Sequence, residues 1–253
     1  MPLNPLLMEG KTILVTGASS GIGRETATLL SALGARIVLA GRDSTRLEET
    51  KSRLDGEGHV TQAFELADNE GIPNWLTEIT RQVGPLDGLA HCAGVHQALP
   101  LRMLKAAKVE EILRINLTSA VMLVKAFRQK GCASTGGSVV LVSSVAGLAG
   151  QPGVSSYAAS KAALIGFTRA AAMELAPEGL RVNAVAPGFV CTEMGESLRG
   201  KLTPDQFSKI EESHPLGLGT PLDVAQAIAY LLAPTGRWIT GSTLVIDGGY
   251  TAQ

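Results

Sequence analysis

The stretch that most constrains this chain runs from Thr12 to Ala40. Thr12-Ile13-Leu14-Val15 is a short β-branched and aliphatic run, followed by the glycine-rich turn Thr16-Gly17-Ala18-Ser19-Ser20-Gly21-Ile22-Gly23. Arg24 to Leu33 then carries a helical pattern that stops at Gly34, and Arg36-Ile37-Val38-Leu39-Ala40 reads as a second strand. Together they form one βαβ unit. Such crossovers are right-handed in nearly every case, which puts the turn at the carboxyl edge of a parallel sheet. Glycines there let an anionic ligand approach the backbone, where free amides and the positive helix end attract it. Gly17, Ser19, Ser20, Gly21, Ile22 and Gly23 are therefore candidates to cradle a pyrophosphate.

The alternation continues. A polar helix is expected around Ser44 to Leu54, a strand over Val60 to Leu66, a helix around Pro73 to Val83, and a strand over Leu86 to His91 that ends in Cys92-Ala93-Gly94. A long helical region around Val109 to Arg128 follows, then the strand Gly137 to Ser144, a helix from Tyr157 to Glu174, the strand Leu180 to Ala186 and a closing strand Thr243 to Ile246. Seven strands alternating with helices predict an α/β architecture, a Rossmann-type doubly wound parallel seven-stranded sheet with helices on both faces. No linker, repeat or low-complexity tract divides the 253 residues, so a single domain over 1–253 is expected.

Composition narrows the function classes. A formal net charge of -1 gives no basic excess for nucleic acid. Cys92, Cys132 and Cys191 are odd in number and widely spaced, so neither a disulfide framework nor a zinc site is expected, and a reducing cytoplasm suits them. Met1 to Lys11 has neither a basic start nor a sustained apolar run, and nowhere is there a stretch of about 20 uncharged apolar residues. A cytoplasmic protein without a membrane partner is expected.

The turn spacing, Gly-x-x-x-Gly-x-Gly, differs from the commonest dinucleotide fingerprint, and no lysine follows a Gly-x-x-x-x-Gly as an ATP-type loop requires. The second strand ends in Gly41-Arg42 where an NAD ribose would want an acid. Arg42 suits a 2′-phosphate, so NADP(H) is favoured over NAD(H). A second constellation lies downstream. Ser144 ends its strand in a hydroxyl, and Tyr157 and Lys161 are i and i+4 neighbours on one helix. A tyrosine with a pKa of about 10 is a poor acid or base at neutral pH, but a nearby ammonium favours the phenolate. Lys161 is placed to supply that charge, and Ser144 to hydrogen-bond a substrate carbonyl oxygen.

With these residues in view, the chain resembles the short-chain dehydrogenase/reductase family over essentially its whole length, and within it the bacterial 3-oxoacyl-[acyl-carrier-protein] reductases. The resemblance is carried by Gly17, Gly21 and Gly23, Asn116 in Ile115-Asn116-Leu117, Ser144, Tyr157 and Lys161, Pro187-Gly188 with Thr192, Ile239-Thr240-Gly241 and Asp247-Gly248-Gly249. It implies hydride delivery to a carbonyl carbon, with Tyr157 as proton donor, Ser144 steadying the oxygen, and Lys161 both tuning the tyrosine and binding the nicotinamide ribose. Asn116, from the residues alone an ordinary helix-interior polar group, would by resemblance hold a relay water. Pro187, Gly188, Val190 and Thr192 would wrap the nicotinamide carboxamide. Ala93 and Gly94 would approach the adenine ribose, and Glu65 and Leu66 the adenine itself. The chain departs from the family in His91-Cys92 for the usual Asn-Asn and in Glu65-Leu66 for Asp-Val. Cys92 reads as a small buried filler.

The resemblance also places a substrate-covering lid over 189–214 and suggests a homotetramer built through the alanine-rich tyrosine helix and the C-terminal segment. An acyl carrier protein is a candidate partner, docked by Arg128 and Lys130 but repelled by Glu178. The reaction expected is reduction of a ketone, such as a 3-oxoacyl thioester, to a secondary alcohol. Two alternatives are oxidation of a sugar, polyol or steroid alcohol and a non-catalytic dinucleotide sensor.

Overall fold

The computed structural model describes residues 4–252. The first three residues of the N-terminal stretch read above, and Gln253 of the expected domain span, lie outside the described residues. β1 (Thr12–Thr16), α1 (Gly21–Ala32) and β2 (Arg36–Gly41) form the expected βαβ unit, and α2 (Ser44–Lys51), β3 (Val60–Ala63), α3 (Ile72–Val83) and β4 (Leu86–His91) follow. α4 (Ala106–Leu113) and α5 (Ser119–Phe127) precede β5 (Ala133–Val142), α6 (Ser155–Leu175) and β6 (Arg181–Pro187). The chain then forms α7 (Glu193–Arg199), α8 (Pro204–Glu212), α9 (Pro221–Leu232) and β7 (Thr243–Ile246).

The sheet order is β3-β2-β1-β4-β5-β6-β7, with every pair parallel. The strands are apolar on both faces because both are covered. Leu14, Val38, Leu89 and Leu141 point to one side, where Leu76, Ile79, Leu123, Phe127 and Leu164 of α3, α5 and α6 meet them. Their neighbours Ile13, Val15, Ile37, Leu39 and Val140 point to the other, against Ala27, Leu30, Val224 and Ile228 of α1 and α9. This period-two division of one strand between two cores is what a doubly wound sheet requires. The winding reverses between β1 and β4, and the crevice at their carboxyl ends is where such folds bind ligands.

Several features depart from the sequence expectation; among them, the strand expected over Gly137 to Ser144 ends at Val142, leaving Ser144 just beyond it. The single helix expected over Val109 to Arg128 is broken by a π-helical turn, Arg114–Thr118, that contains the fully buried Asn116. Such a turn inserts a residue into the helical ladder, an arrangement that propensity does not signal. The helix α9 was not expected, although Thr220-Pro221-Leu222-Asp223 marks its start: the Asp223 carboxylate accepts from the Thr220 amide at 2.7 Å, with Pro221 in the first turn. The strand expected over Val60 to Leu66 ends at Ala63, and the lid segment forms two helices, α7 and α8.

The glycine turn is dense. Gly17 has φ +67, and a Cβ there would lie 2.8 Å from the Ala93 amide nitrogen at the end of β4. A Cβ on Gly23 would collide with the Gly17 carbonyl, so the first turn of α1 closes directly on β1. Gly23→Ala should therefore destabilise the protein by about 1–3 kcal/mol, the range for overpacking a tight site. Thermal unfolding checks this, and an unchanged midpoint would mean the turn is looser than described.

Candidate active site

Tyr157 and Lys161 lie one turn apart near the start of α6, with the Lys161 ammonium 5.7 Å from the centre of the Tyr157 ring. The ammonium donates to the Val142 carbonyl at the end of β5 at 2.7 Å. The neighbouring Ser143 hydroxyl donates to the Lys161 carbonyl at 2.8 Å, so strand end and helix are pinned in both directions. Ser144 follows, its oxygen accepting from the Ala146 amide at 3.2 Å and its hydroxyl within hydrogen-bond reach of Tyr157. Close packing then matters. A Cβ on Gly147 would stand 2.7 Å from the Ala162 amide, so only glycine lets this turn lie against α6.

Asn116 is committed from both ends of its amide. Nδ2 donates to the Val95 carbonyl at 2.9 Å and to the Ser160 hydroxyl at 3.0 Å, and Oδ1 accepts from the Val95 amide at 2.8 Å. Ser160 donates in turn to the Tyr157 carbonyl at 2.7 Å. Through these bonds Asn116 fixes the loop after β4 to the helix that carries Tyr157. A Cβ on Gly94 would reach 3.3 Å from Asn116 Oδ1 and 3.4 Å from Lys161 Nζ, which explains glycine there.

Burial sets the protonation of the group. It lowers the Lys161 ammonium to about 8. It also raises the Tyr157 phenol above its ordinary value, with Ser144 pulling the other way. The expectation that Lys161 depresses the tyrosine is thus not the balance found here, because loss of water dominates both groups and the ammonium is engaged by Val142. His91 is held down to about 3, first by burial and then by Lys161, so it stays neutral. Its Nδ1 meets the Thr16 hydroxyl at 2.8 Å. Cys92, half-buried between the two cavities described below, is pushed up to about 12 by burial, which leaves it a thiol.

The residues expected at the cofactor come together along one crevice. Gly17, Ser19, Ser20, Gly21, Ile22 and Gly23 wall a cavity of about 230 Å³, with Arg42, Glu65 and Leu66 at one end and Ala93, Gly94 and Thr192 along it. Ile22, Cys92, Gly94 and Thr192 also line a second cavity of about 490 Å³, which holds Ser144, Tyr157, Lys161, Pro187, Gly188 and Val190. The groove fits a dinucleotide. Ser20, at the N-cap of α1, makes no side-chain cap, which leaves the first-turn amides of α1 for an anion. Sequence reasoning missed the brace beneath it: Arg24 donates to the Ser19 carbonyl at 2.5 Å and the Thr50 hydroxyl at 3.2 Å, and Thr50 donates to the Ala18 carbonyl at 2.9 Å. It also missed Ser143 and Ser160, whose roles exist only once β5 and α6 are packed. At the far end Arg42 lies 3.6 Å from Glu65 in an exposed ion pair.

Sheet order and crevice chemistry define the class, an NAD(P)-linked oxidoreductase of the doubly wound type. The chain belongs to the short-chain dehydrogenase/reductase family. A family model described as enoyl-(acyl carrier protein) reductase matches residues 17–251. The chain is 36% identical over 244 residues, covering 96% of this chain and 97% of its relative, to 3-oxoacyl-[acyl-carrier-protein] reductase FabG of Rickettsia prowazekii. Among solved structures, a putative short-chain alcohol dehydrogenase from Sinorhizobium meliloti superposes with a TM-score of 0.93 at 31% identity, over 98% of this chain and 99% of that one. A putative NAD(P)-dependent gluconate 5-dehydrogenase from Beutenbergia cavernae, with bound NADP at low occupancy, gives 0.91 at 32% identity, over 99% and 100%.

The lowered Lys161 value has a measurable consequence. Between about pH 8 and the ordinary lysine value of 10.5 the unfolded chain binds this proton more tightly than the folded one, so the folded state gains stability as pH rises through that window. Below about pH 8 the full penalty of the buried charge is present. Lys161→Met removes it, so the stability of the variant relative to wild type should be greatest below pH 8 and decline towards pH 10. Urea midpoints of the dinucleotide-free proteins measure this, and a pH-independent difference would show that Lys161 titrates like an exposed lysine.

Proposed function

We propose that the chain reduces the ketone of an apolar carbonyl substrate to a secondary alcohol with NADP(H). The observation that carries this reading is the shared cavity, in which the Ser144 and Tyr157 hydroxyls and the buried Lys161 adjoin the glycine cradle. When bound, the dinucleotide supplies the hydride. Ser144 donates a hydrogen bond to the substrate oxygen and Tyr157 transfers its phenolic proton to that oxygen as negative charge develops there. Burial suits this role, since a phenol raised above its ordinary value stays protonated until needed. Lys161 stabilises the phenolate left behind, and an ammonium near 8 can yield a proton to it at neutral pH. In the oxidative direction Tyr157 is the base. Lys161 would also hold the nicotinamide ribose and Pro187 to Thr192 the carboxamide, and Asn116 keeps the helix and the loop in register.

The larger cavity is walled by Val95, Val145, Phe189, Met194, Leu198 and Ile210, with no carboxylate and, besides Lys161, one further lysine, Lys209. Such a wall suits an acyl chain better than a polyol, in keeping with the 3-oxoacyl thioester named for the curated relative. α7 and α8 supply Met194, Leu198 and Ile210 to this wall and form the lid over 189–214 of a single domain. Oxidation of a sugar acid, suggested by the gluconate neighbour, is the competing reading and draws support from Lys209 and the polar Gln151 and Tyr250 in the same cavity. A dinucleotide sensor would have no use for the Ser144, Tyr157 and Lys161 arrangement.

For an acyl carrier protein, the docking cation Arg128 is offset by Glu178, which pairs with it at 2.7 Å in an exposed ion pair. At about 1.5 Å per helical residue that pair also lies on the order of 30 Å along the chain from Tyr157. Carrier-protein delivery therefore rests on the cavity and on the relative, not on these residues. The homotetramer reading draws on the open face of α6, where Ala159, Ala162 and Ala170 are exposed and a Cβ on Gly166 would meet nothing within 4 Å. Trp238, 90% exposed, and Leu244 and Val245 on the edge strand β7 offer a second apolar face. Among the described residues no helix is long and apolar enough to cross a membrane, in keeping with a cytoplasmic enzyme.

Tyr157→Phe should lower kcat/KM for an acetoacetyl thioester by about 10²–10⁴, and Ser144→Ala by roughly 10²–10³. Arg42→Gln should weaken NADPH binding about tenfold more than NADH binding, read by fluorescence titration. Full activity in Tyr157→Phe would overturn the assignment of the acid. Sedimentation at micromolar concentration should give four times the chain mass, and a monomer would refute the tetramer.

A further inference from the structure

Resting on the carbonyl-reductase reading above, the geometry points to His96 as a specificity-determining residue that binds a second carbonyl oxygen of the substrate, two carbons from the one reduced. Three observations carry it. His96 lines the same cavity as Ser144 and Tyr157, and its ring stands edge-on to the tyrosine ring, with centroids 4.7 Å apart and planes at 66°. It sits in the loop after β4 that Asn116 fixes through both polar atoms of Val95, so the imidazole is carried by an anchored backbone beside the Tyr157 ring. Neither ring nitrogen has a hydrogen-bond partner among the described residues, whereas His59 and His214 engage both of theirs and His91 one.

The chemistry follows from the charge around the ring. Burial, then Lys201 before the second lid helix, then Lys161 below, all lower the pKa of His96. It is therefore neutral at physiological pH and offers one N–H donor and one bare nitrogen. The N–H suits a carbonyl oxygen. The apolar side chains of Val95, Val145, Met194 and Leu198 line the same cavity, so a polar group on the substrate is the natural partner for the ring nitrogens. With the reacting oxygen between Ser144 and Tyr157, a 1,3-dicarbonyl such as a 3-oxoacyl thioester can present its other carbonyl to His96. A simple ketone cannot. A site built to hydrogen-bond a substrate group rejects analogues that lack it, because the site's own polar atom is then left unpaired.

The test compares wild type, His96→Phe and His96→Asn on two substrates with NADPH: an acetoacetyl thioester and a straight-chain methyl ketone of matched length without the second oxygen. His96→Phe keeps a ring against Tyr157 and removes both nitrogens. It should lower kcat/KM for the thioester at least tenfold more than for the ketone, mainly through KM, and His96→Asn, which restores a donor, should recover most of the difference. Equal losses on both substrates, or no recovery in His96→Asn, would overturn the assignment of His96 while leaving the reductase reading standing. If wild type turns over neither substrate, the reductase reading itself fails and the role of His96 falls with it.

Discussion

A lysine ammonium buried without a carboxylate is the interaction around which the rest of this site is arranged. Lys161 is 4% exposed, and its direct partner is the Val142 carbonyl. Holding a cation out of water in this way is unfavourable, and the protein answers by weakening its hold on the proton rather than by pairing it with an acid. The effect spreads to the neighbours. His91 and His96 are both kept neutral with help from the same charge, so the ends of β4 and β5 carry one adjustable cation and no fixed counter-charge. A site tuned in this way can hand on a proton near neutral pH without trapping it.

Geometry is maintained by a lattice of short hydrogen bonds with Lys161 and Tyr157 at its centre. Ser143 ties the lysine backbone to β5, Ser160 ties the tyrosine backbone to Asn116, and Asn116 ties both to Val95. The π-helical turn matters here because it places Asn116 inside the protein, facing the loop after β4. Position along the sheet does the remainder. The reversal of winding between β1 and β4 opens the crevice, and the glycine turn of β1 abuts Ala93 closely enough that dinucleotide groove and reaction cavity share their walls.

Much of this was legible in the sequence, for reasons that are local. The strand Leu86–His91 and the closing strand Thr243–Ile246 were located to the residue, because apolar runs bounded by turn residues report directly on strands. Tyr157 and Lys161 could be paired from their spacing alone, and every glycine of the turn lies where a βαβ unit must put it. What escaped depends on tertiary contacts. A π-turn has no composition of its own, α9 was overlooked despite its Thr220 and Asp223 cap, and Ser143, Ser160 and Arg24 look like ordinary polar residues until strand and helix meet. His96 was passed over too, since a single histidine after a glycine declares nothing until its ring is seen against the tyrosine. The sign of the tyrosine shift was misjudged because sequence shows the proximity of a lysine but not how far both groups are withdrawn from water.

The most direct test of the central claim is the fate of the transferred hydrogen. NADPH labelled with deuterium on one or the other face at the reacting carbon of its nicotinamide ring would be incubated with the protein and an acetoacetyl thioester, and the hydroxy product weighed by mass spectrometry. A product one mass unit heavier with one labelled face and unlabelled with the other is the result predicted, because a chiral crevice lined by Ile22, Thr192 and Tyr157 would hold the ring in one orientation towards the substrate. Product without label from either face, or no product at all, would contradict it.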